Sequence, residues 1–217
     1  MHKPNTFLEE DVKEELDWDP VVDDSRIVVK ANDGEITLSG AVPTYYESVV
    51  AEEDAFSVGG VTKVDNQLVV GLTGEAIADV DIVADCVTAL ENDRFVPRGS
   101  VNVSVSDGWV TLNGEVRRHF QRQAAEHAVR RVAGILGITN SIVLTSDPIP
   151  SDVADRINRA FKRSAIIDDS LVKVSSADHT VYLDGTVGSW YAMDKAVDIA
   201  WEAPGVSYVV NRLVIIP

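Results

Sequence analysis

Apolar residues recur at i, i+4 and i+8 in three places along the chain: Leu8, Val12, Leu16; Ile82, Cys86, Leu90; and Val153, Ile157, Phe161. That spacing lines one face of an amphipathic helix. After each helix the period changes to two. Val101 and Val103 alternate with Asn102 and Ser104, Val172 and Val174 with Lys173 and Ser175, and Ile27 and Val29 occupy the matching positions. A second alternating run follows, with Ile36 and Leu38, Val110 and Leu112, Val181 and Leu183. Two such runs across a short polar break predict a β-hairpin with one buried face.

The break reads Asn32-Asp33-Gly34, Ser106-Asp107-Gly108 and Ala177-Asp178-His179. Asp-Gly supplies the positive φ of a tight hairpin turn, so His179 predicts a third turn of different form. A second helix is expected over roughly 44–58, 118–132 and 189–203, with Ala51, Ala125 and Ala196 in one column. Gly60, Gly134 and Gly205 then stand where a helix-ending glycine belongs. A strand closes each series: "VTKVDNQLVV", "ILGITNSIVL", "VSYVVNRLVI". At the first helix, Thr6 with Glu9 predicts a capping box. Asp79 and Asp81 place carboxylates at the N-terminus of the corresponding second-copy helix.

The octets "DGEITLSG", "DGWVTLNG" and "DHTVYLDG" align these series column by column. Twenty residues after Gly40, Gly114 and Gly185 stands a second glycine, and six further on stands Asn66, Asn140 or Asn211. One unit is therefore written three times without a gap. The expected fold class is α+β: three tandem αββαβ units at 5–70, 77–144 and 151–215, each a three-stranded mixed sheet packed against two helices. Segments 71–76 and 145–151 read as linkers. Units this small bury a modest core, so contacts between them are expected to add stability.

Composition narrows the function classes. The 217 residues are 45% hydrophobic and 25% charged, with a net charge of −16. That field disfavours nucleic acid as a partner. Residues 5–70 alone hold 16 acidic and 4 basic side chains. No apolar run is long enough to cross a membrane. The start, "MHKPNTFLEEDVKEELDW", lacks the apolar region of a secretory signal, so a cytoplasmic location is expected. A single cysteine makes no intramolecular disulfide.

Chemistry-bearing residues mostly have plain explanations. Cys86 shares a column with Val12 and Ile157, which makes it a buried small hydrophobe. His2, His119, His127 and His179 include no pair at metal-ligand spacing, and a surface role is expected for them. Asp33, Asp107 and Asp178 sit in hairpin turns, where Asp bonds its own backbone. No nucleophile motif, P-loop or dinucleotide fingerprint is present, so no enzyme activity and no cofactor are expected. Asp17, Asp19, Asp23 and Asp24 form the best cation candidate, but without the glycine and terminal glutamate of an EF-hand loop. The aromatic pairs Tyr45-Tyr46, His119-Phe120 and Trp190-Tyr191 begin the second helices and are expected to pack against the sheets.

The middle copy differs. Its second helix reads "RRHFQRQAAEHAVRRV" and carries Arg117, Arg118, Arg122, Arg130 and Arg131 against Glu126 alone. Two readings stand open. The arginines make a patch for an anionic ligand or acidic partner, or they pair within the helix and with the acidic first unit.

The strand ending in Gly40, Gly114 or Gly185, the glycine twenty residues on, and the asparagine of "VDNQLVV", "ITNSIVL" and "VVNRLVI" resemble the BON domain family, in three tandem copies. The resemblance implies non-catalytic modules associated with osmotic stress, envelope integrity and binding of anionic phospholipid. Some intracellular members bind potassium, and many members are exported. The leading expectation is thus a stress-associated binding protein for anionic lipid or another acidic partner. The alternatives are a cytosolic cation-responsive module and a structural protein-interaction scaffold.

Overall fold

The computed structural model describes residues 3–71, 77–145 and 149–216. Residues 72–76 of the first linker and 146–148 of the second, like His2, lie outside the described residues. The first unit runs α1 (Asn5–Trp18), β1 (Ile27–Asn32), β2 (Glu35–Val42), α2 (Tyr45–Ser57) and β3 (Lys63–Val70). The second runs α3 (Asp79–Asn92), β4 (Val101–Ser106), β5 (Trp109–Val116), α4 (His119–Val129) and β6 (Gly137–Leu144). The third runs α5 (Val153–Phe161), β7 (Val172–Ala177), β8 (Thr180–Val187), α6 (Trp190–Glu202) and β9 (Tyr208–Ile215). The chain is α+β, three αββαβ units as the periodicities imply.

Each sheet is mixed and three-stranded. Its middle strand pairs antiparallel with the strand before it and parallel with the strand after the helix. The register is identical in all three: Gly40, Gly114 and Gly185 face Ile27, Val101 and Val172 on one side, and Leu68, Ile142 and Leu213 on the other. These glycines have φ of 120°, 146° and 128°. A Cβ there would collide with the carbonyl oxygen of Arg26, Ser100 or Leu171. The column is glycine because the incoming chain crosses it at backbone contact.

All nine residues of the three helical i, i+4, i+8 series are buried, each within its own unit's core. The asparagine column ties the last strand to the second helix. Asn66 Nδ2 donates to the Ser48 carbonyl at 3.0 Å and to Glu52 Oε2 at 3.1 Å, and Asn140 Nδ2 donates to the Arg122 carbonyl and to Glu126 Oε2. Asn66, Asn140 and Asn211 all accept from the amide two residues on.

Two local expectations are corrected, the capping box of the first helix and the end of the second copy's second helix. Helix α1 starts at Asn5 and has no side-chain cap. Glu9 Oε1 accepts instead from the Ala31 amide at 3.0 Å, and Asn5 Oδ1 from the Asp33 amide at 3.0 Å, so these side chains satisfy hairpin donors rather than helix donors. Asp79 does the same in the second unit, accepting from Asp107 and Gly108 at 2.9 Å. Helix α4 ends at Val129, short of residue 132, with Arg130 as its C-cap. In the third hairpin Asp178 keeps φ 51°, matching Asp33 and Asp107, while His179 is not in the left-handed region. Its Nδ1 lies 3.0 Å from the Gly205 carbonyl oxygen, so the third turn does differ.

The units meet through their second helices. Trp190 at the start of α6 stacks on Phe56 near the end of α2, with ring centroids 4.7 Å apart. His119 at the start of α4 stacks on Trp201 near the end of α6 at 4.1 Å. Tyr45 at the start of α2 packs against the second unit's core, near Arg130 at the end of α4. Tyr45, His119 and Trp190 are one column, and Phe56, Arg130 and Trp201 are another. Each seam is therefore the same head-to-tail contact, and the third unit closes back on the first. A heterologous contact that closes leaves no open end for growth. Of the aromatics that begin these helices, Tyr46 and Trp190 pack against their own unit's core as expected, Trp190 also stacking on the first unit, whereas Tyr45 and His119 pack on the neighbouring unit instead.

Candidate functional site

The structure divides the five arginines of the middle copy. Arg130, its side chain 17% exposed, bonds Glu53 Oε1 of the first unit at 3.1 Å and lies 5.3 Å from the Tyr46 ring centroid. Arg131 Nη2 donates to the Tyr46 hydroxyl at 2.9 Å. Arg122 covers the Trp201 ring of the third unit at 4.8 Å. These three hold the second unit to its neighbours. Arg117 and Arg118 precede the helix in the β5–α4 loop and are exposed. Their amides donate to Gln121 Oε1, which fixes the turn.

Phe120, next to them, is 51% exposed and meets Phe95 edge-on at 6.1 Å. Phe95, itself 47% exposed, lies in the α3–β4 loop with Arg94 stacked over it at 4.6 Å and Arg98 three residues on. The Asp93 carboxylate is turned back onto the Phe95 amide at 2.7 Å. One end of the second unit thus presents two half-exposed phenylalanines in edge-on contact, with Arg94 over one ring and Arg98, Arg117 and Arg118 each within three residues of one or the other along the chain. Arg94, Phe95 and Arg98 were not evident as a site from the helix pattern, because they sit in a loop. The repeat columns carry the signal. Val21, Phe95 and Ile166 share an exposed apolar column, while Arg98 stands where the other units have Asp24 and Asp169.

Beside this end, Arg118, His119 and Phe120 face Asp198, Trp201 and Glu202 across a cleft. The cleft mixes charge signs, so it is no anion pocket. His119 is half-buried at the seam, not on the surface as its polarity suggests. Its pKa is pushed down to about 4 by burial and by the charge of Arg122. His127 is exposed.

The remaining candidates are structural. Cys86 is fully buried, and burial pushes its thiol up to about 11, with the Asp85 charge adding to the effect. In the acidic string, Asp19 accepts from the Val21 amide and Asp23 from the Ser25 amide, each bonding its own loop. Among the described residues no three acidic, histidine or cysteine side chains are arranged to hold a metal ion. Among them, too, no helix is long and apolar enough to cross a membrane.

Comparison with known proteins agrees with the repeat. The family model described as the BON domain matches three times, at residues 6–71, 78–146 and 151–217. Osmotically-inducible protein Y of Escherichia coli (strain K12) is 28% identical over 156 residues, which cover 65% of this chain and 76% of that protein. Two solved structures of CdsD, a structural protein of the type III secretion system of Chlamydia trachomatis, align over 97% of this chain and 93% and 98% of theirs. Their identities are 15% and 16%, with a TM-score of 0.28 in both, too low to support further comparison.

Proposed function

The chain belongs to the BON domain family, and from that premise we propose that it is a non-catalytic, osmotic-stress-associated protein whose second unit docks on anionic phospholipid. The observation that carries this reading is the edge-on Phe95–Phe120 pair, half exposed, with Arg94 over one ring and three more arginines adjacent in sequence, on a protein of net charge −16. Exposed apolar residues ringed by cations suit the boundary between head groups and acyl chains. Each arginine near an anionic surface contributes about 1 kcal/mol, and salt screens it within a Debye length. The acidic first unit opposes this attraction and orients it, since the arginine-bearing end of the second unit gains by approaching the membrane while the first unit is repelled. The similarity to an osmotically inducible protein supports the stress association, and the family's link to anionic phospholipid supports the ligand class.

Sedimentation with vesicles of phosphatidylglycerol and phosphatidylcholine tests it. Binding is expected to require the anionic lipid, to weaken with salt, and to be lost in Arg98→Glu/Arg117→Glu. Phe95→Ser/Phe120→Ser should weaken binding without changing its salt dependence. If the intact chain stays in the supernatant at low salt, or if these variants sediment like the parent, the lipid reading is wrong.

A further inference from the structure

We propose that the outer face of the second unit's sheet binds a neutral glycan strand. In that sheet the register brings three cross-strand rows together: Ser106, Trp109 and Gly137; Ser104, Thr111 and Thr139; Asn102, Asn113 and Ser141. These positions alternate with the core residues, so they point away from the helices. None is charged. The first unit's corresponding face carries Lys30, Glu35, Lys63 and Asp65, and the third unit's carries Lys173, Asp184 and Arg212. One sheet of three is therefore a grid of hydroxyls and amides.

Trp109 is the anchor. Its six-membered ring occupies the space a Cβ on Gly137 would need, so the indole lies down on the backbone of β6. Its Nε1 donates to Thr139 Oγ1 at 2.8 Å, which fixes the ring's rotation. The side chain is nevertheless 52% exposed. The result is a flat aromatic surface, immobilised on one side and open on the other. The equivalent positions in the other units hold Glu35 and Thr180.

The chemistry of the grid selects its ligand. Anionic lipid and nucleic acid need cations, and the grid has none. A protein interface needs an apolar centre, and here the aliphatic Val143 stands only at the margin beside Glu115. A polyol offers C–H faces to the indole and hydroxyls to Ser, Thr and Asn side chains, which both donate and accept. A neutral ligand also meets no opposition from the net negative charge. From Trp109 to Asn113 the grid extends roughly 13 Å at the ~3.4 Å rise of a strand, room for a few sugar rings in an extended chain. This site is separate from the Phe95–Phe120 end, and neither reading depends on the other.

Titration of the full chain with cellohexaose and chitohexaose, read by tryptophan fluorescence and by co-sedimentation with insoluble cellulose and chitin, tests the inference. At least one glycan is expected to give saturable binding that does not weaken with salt. Trp109→Ala should lose about tenfold or more, the scale of one aromatic stacking contact. Asn113→Arg, an exposed change that leaves the indole in place, should weaken binding as well, which keeps the result decisive if the tryptophan variant unfolds. No binding to any of these glycans, or unchanged affinity in folded Trp109→Ala or in Asn113→Arg, overturns the proposal.

Discussion

His119 lies flat against Trp201, with planes only 4° from parallel, and Arg122 lies over the same indole at 4.8 Å. The imidazole is stacked as a neutral ring, its Nδ1 buried without a hydrogen-bond partner. Protonation would place a cation there, beside another cation, in a site with little water.

The seam between the second and third units should therefore loosen in acid. The folded pKa, about 4, lies below the unfolded value near 6.5, with burial the first cause and Arg122 the second. Its contribution is fully present above pH 6.5 and is lost as pH falls towards 4, because the unfolded chain takes up the proton first. His119→Phe keeps the stack and removes the titration. Denaturant unfolding should show the variant gaining on the parent by on the order of 1–2 kcal/mol between pH 7 and pH 4.5. Parallel pH profiles would mean the imidazole is solvated in the folded chain.

Asp54 has the opposite sign. It stands in a column held by Ala128 and Ile199 in the other units, and its Oδ2 is buried without a partner. Burial, then the charges of Asp19, Glu15 and Glu53, raise its pKa to about 7. The folded first unit holds this proton more tightly than the unfolded chain. Its stabilising share is complete below about pH 4 and is lost as pH rises through 7. Asp54→Ala should raise stability at pH 8 by about 1–3 kcal/mol, the cost of an unsatisfied buried polar group. It should also remove that part of the pH slope. A loss of stability at pH 8 would show that the carboxylate has a favourable role there.

Much of this was legible in the residues. Periods of four and two gave the element order, and repeat columns gave the register, because each glycine and asparagine of a column performs one backbone task in all three units. Caps were less legible. Glu9 and Asn5 have the chemistry of helix caps, but unpaired hairpin amides lay within reach and took them. The seams were not legible: the pattern assigns Tyr45, His119 and Trp190 to their own sheets, and a single unit's periodicity carries no signal of the neighbour that receives them. The Arg94–Phe95–Arg98 loop has no periodic face to mark it, and its signal lies in the column where Arg98 replaces Asp24 and Asp169.

Cys86 should be inert in the folded protein. It is fully buried beneath the second unit's helices, with its pKa raised by burial. A thiol reagent should label it slowly in the native state and quickly in denaturant. Equal rates would mean that the second core opens readily. Cys86→Val, the residue type of the Val12 column, should be nearly neutral, and Cys86→Asp should cost several kcal/mol, roughly the penalty for an unpaired buried charge.

The first seam offers a sharper test of what the arginines do. Arg130 occupies the column of Phe56 and Trp201, so a cation over Tyr46 does there what an aromatic stack does at the other two seams. Its side chain is 17% exposed, its Nε lacks a partner, and Glu53 supplies its carboxylate. Glu53→Gln leaves that charge desolvated and poorly compensated, and should cost about 1–3 kcal/mol. Arg130→Phe removes the charge while keeping a ring-sized group against Tyr46, so it should change stability by less than about 1 kcal/mol. Combined with Arg130→Phe, Glu53→Gln should cost nothing measurable, because the interaction it removes is already gone. Equilibrium unfolding of the four proteins, in low and high salt, measures the coupling. If Glu53→Gln costs the same in both backgrounds, the ion pair does not hold the seam, and Arg130 is free to serve an anionic ligand with Arg117 and Arg118.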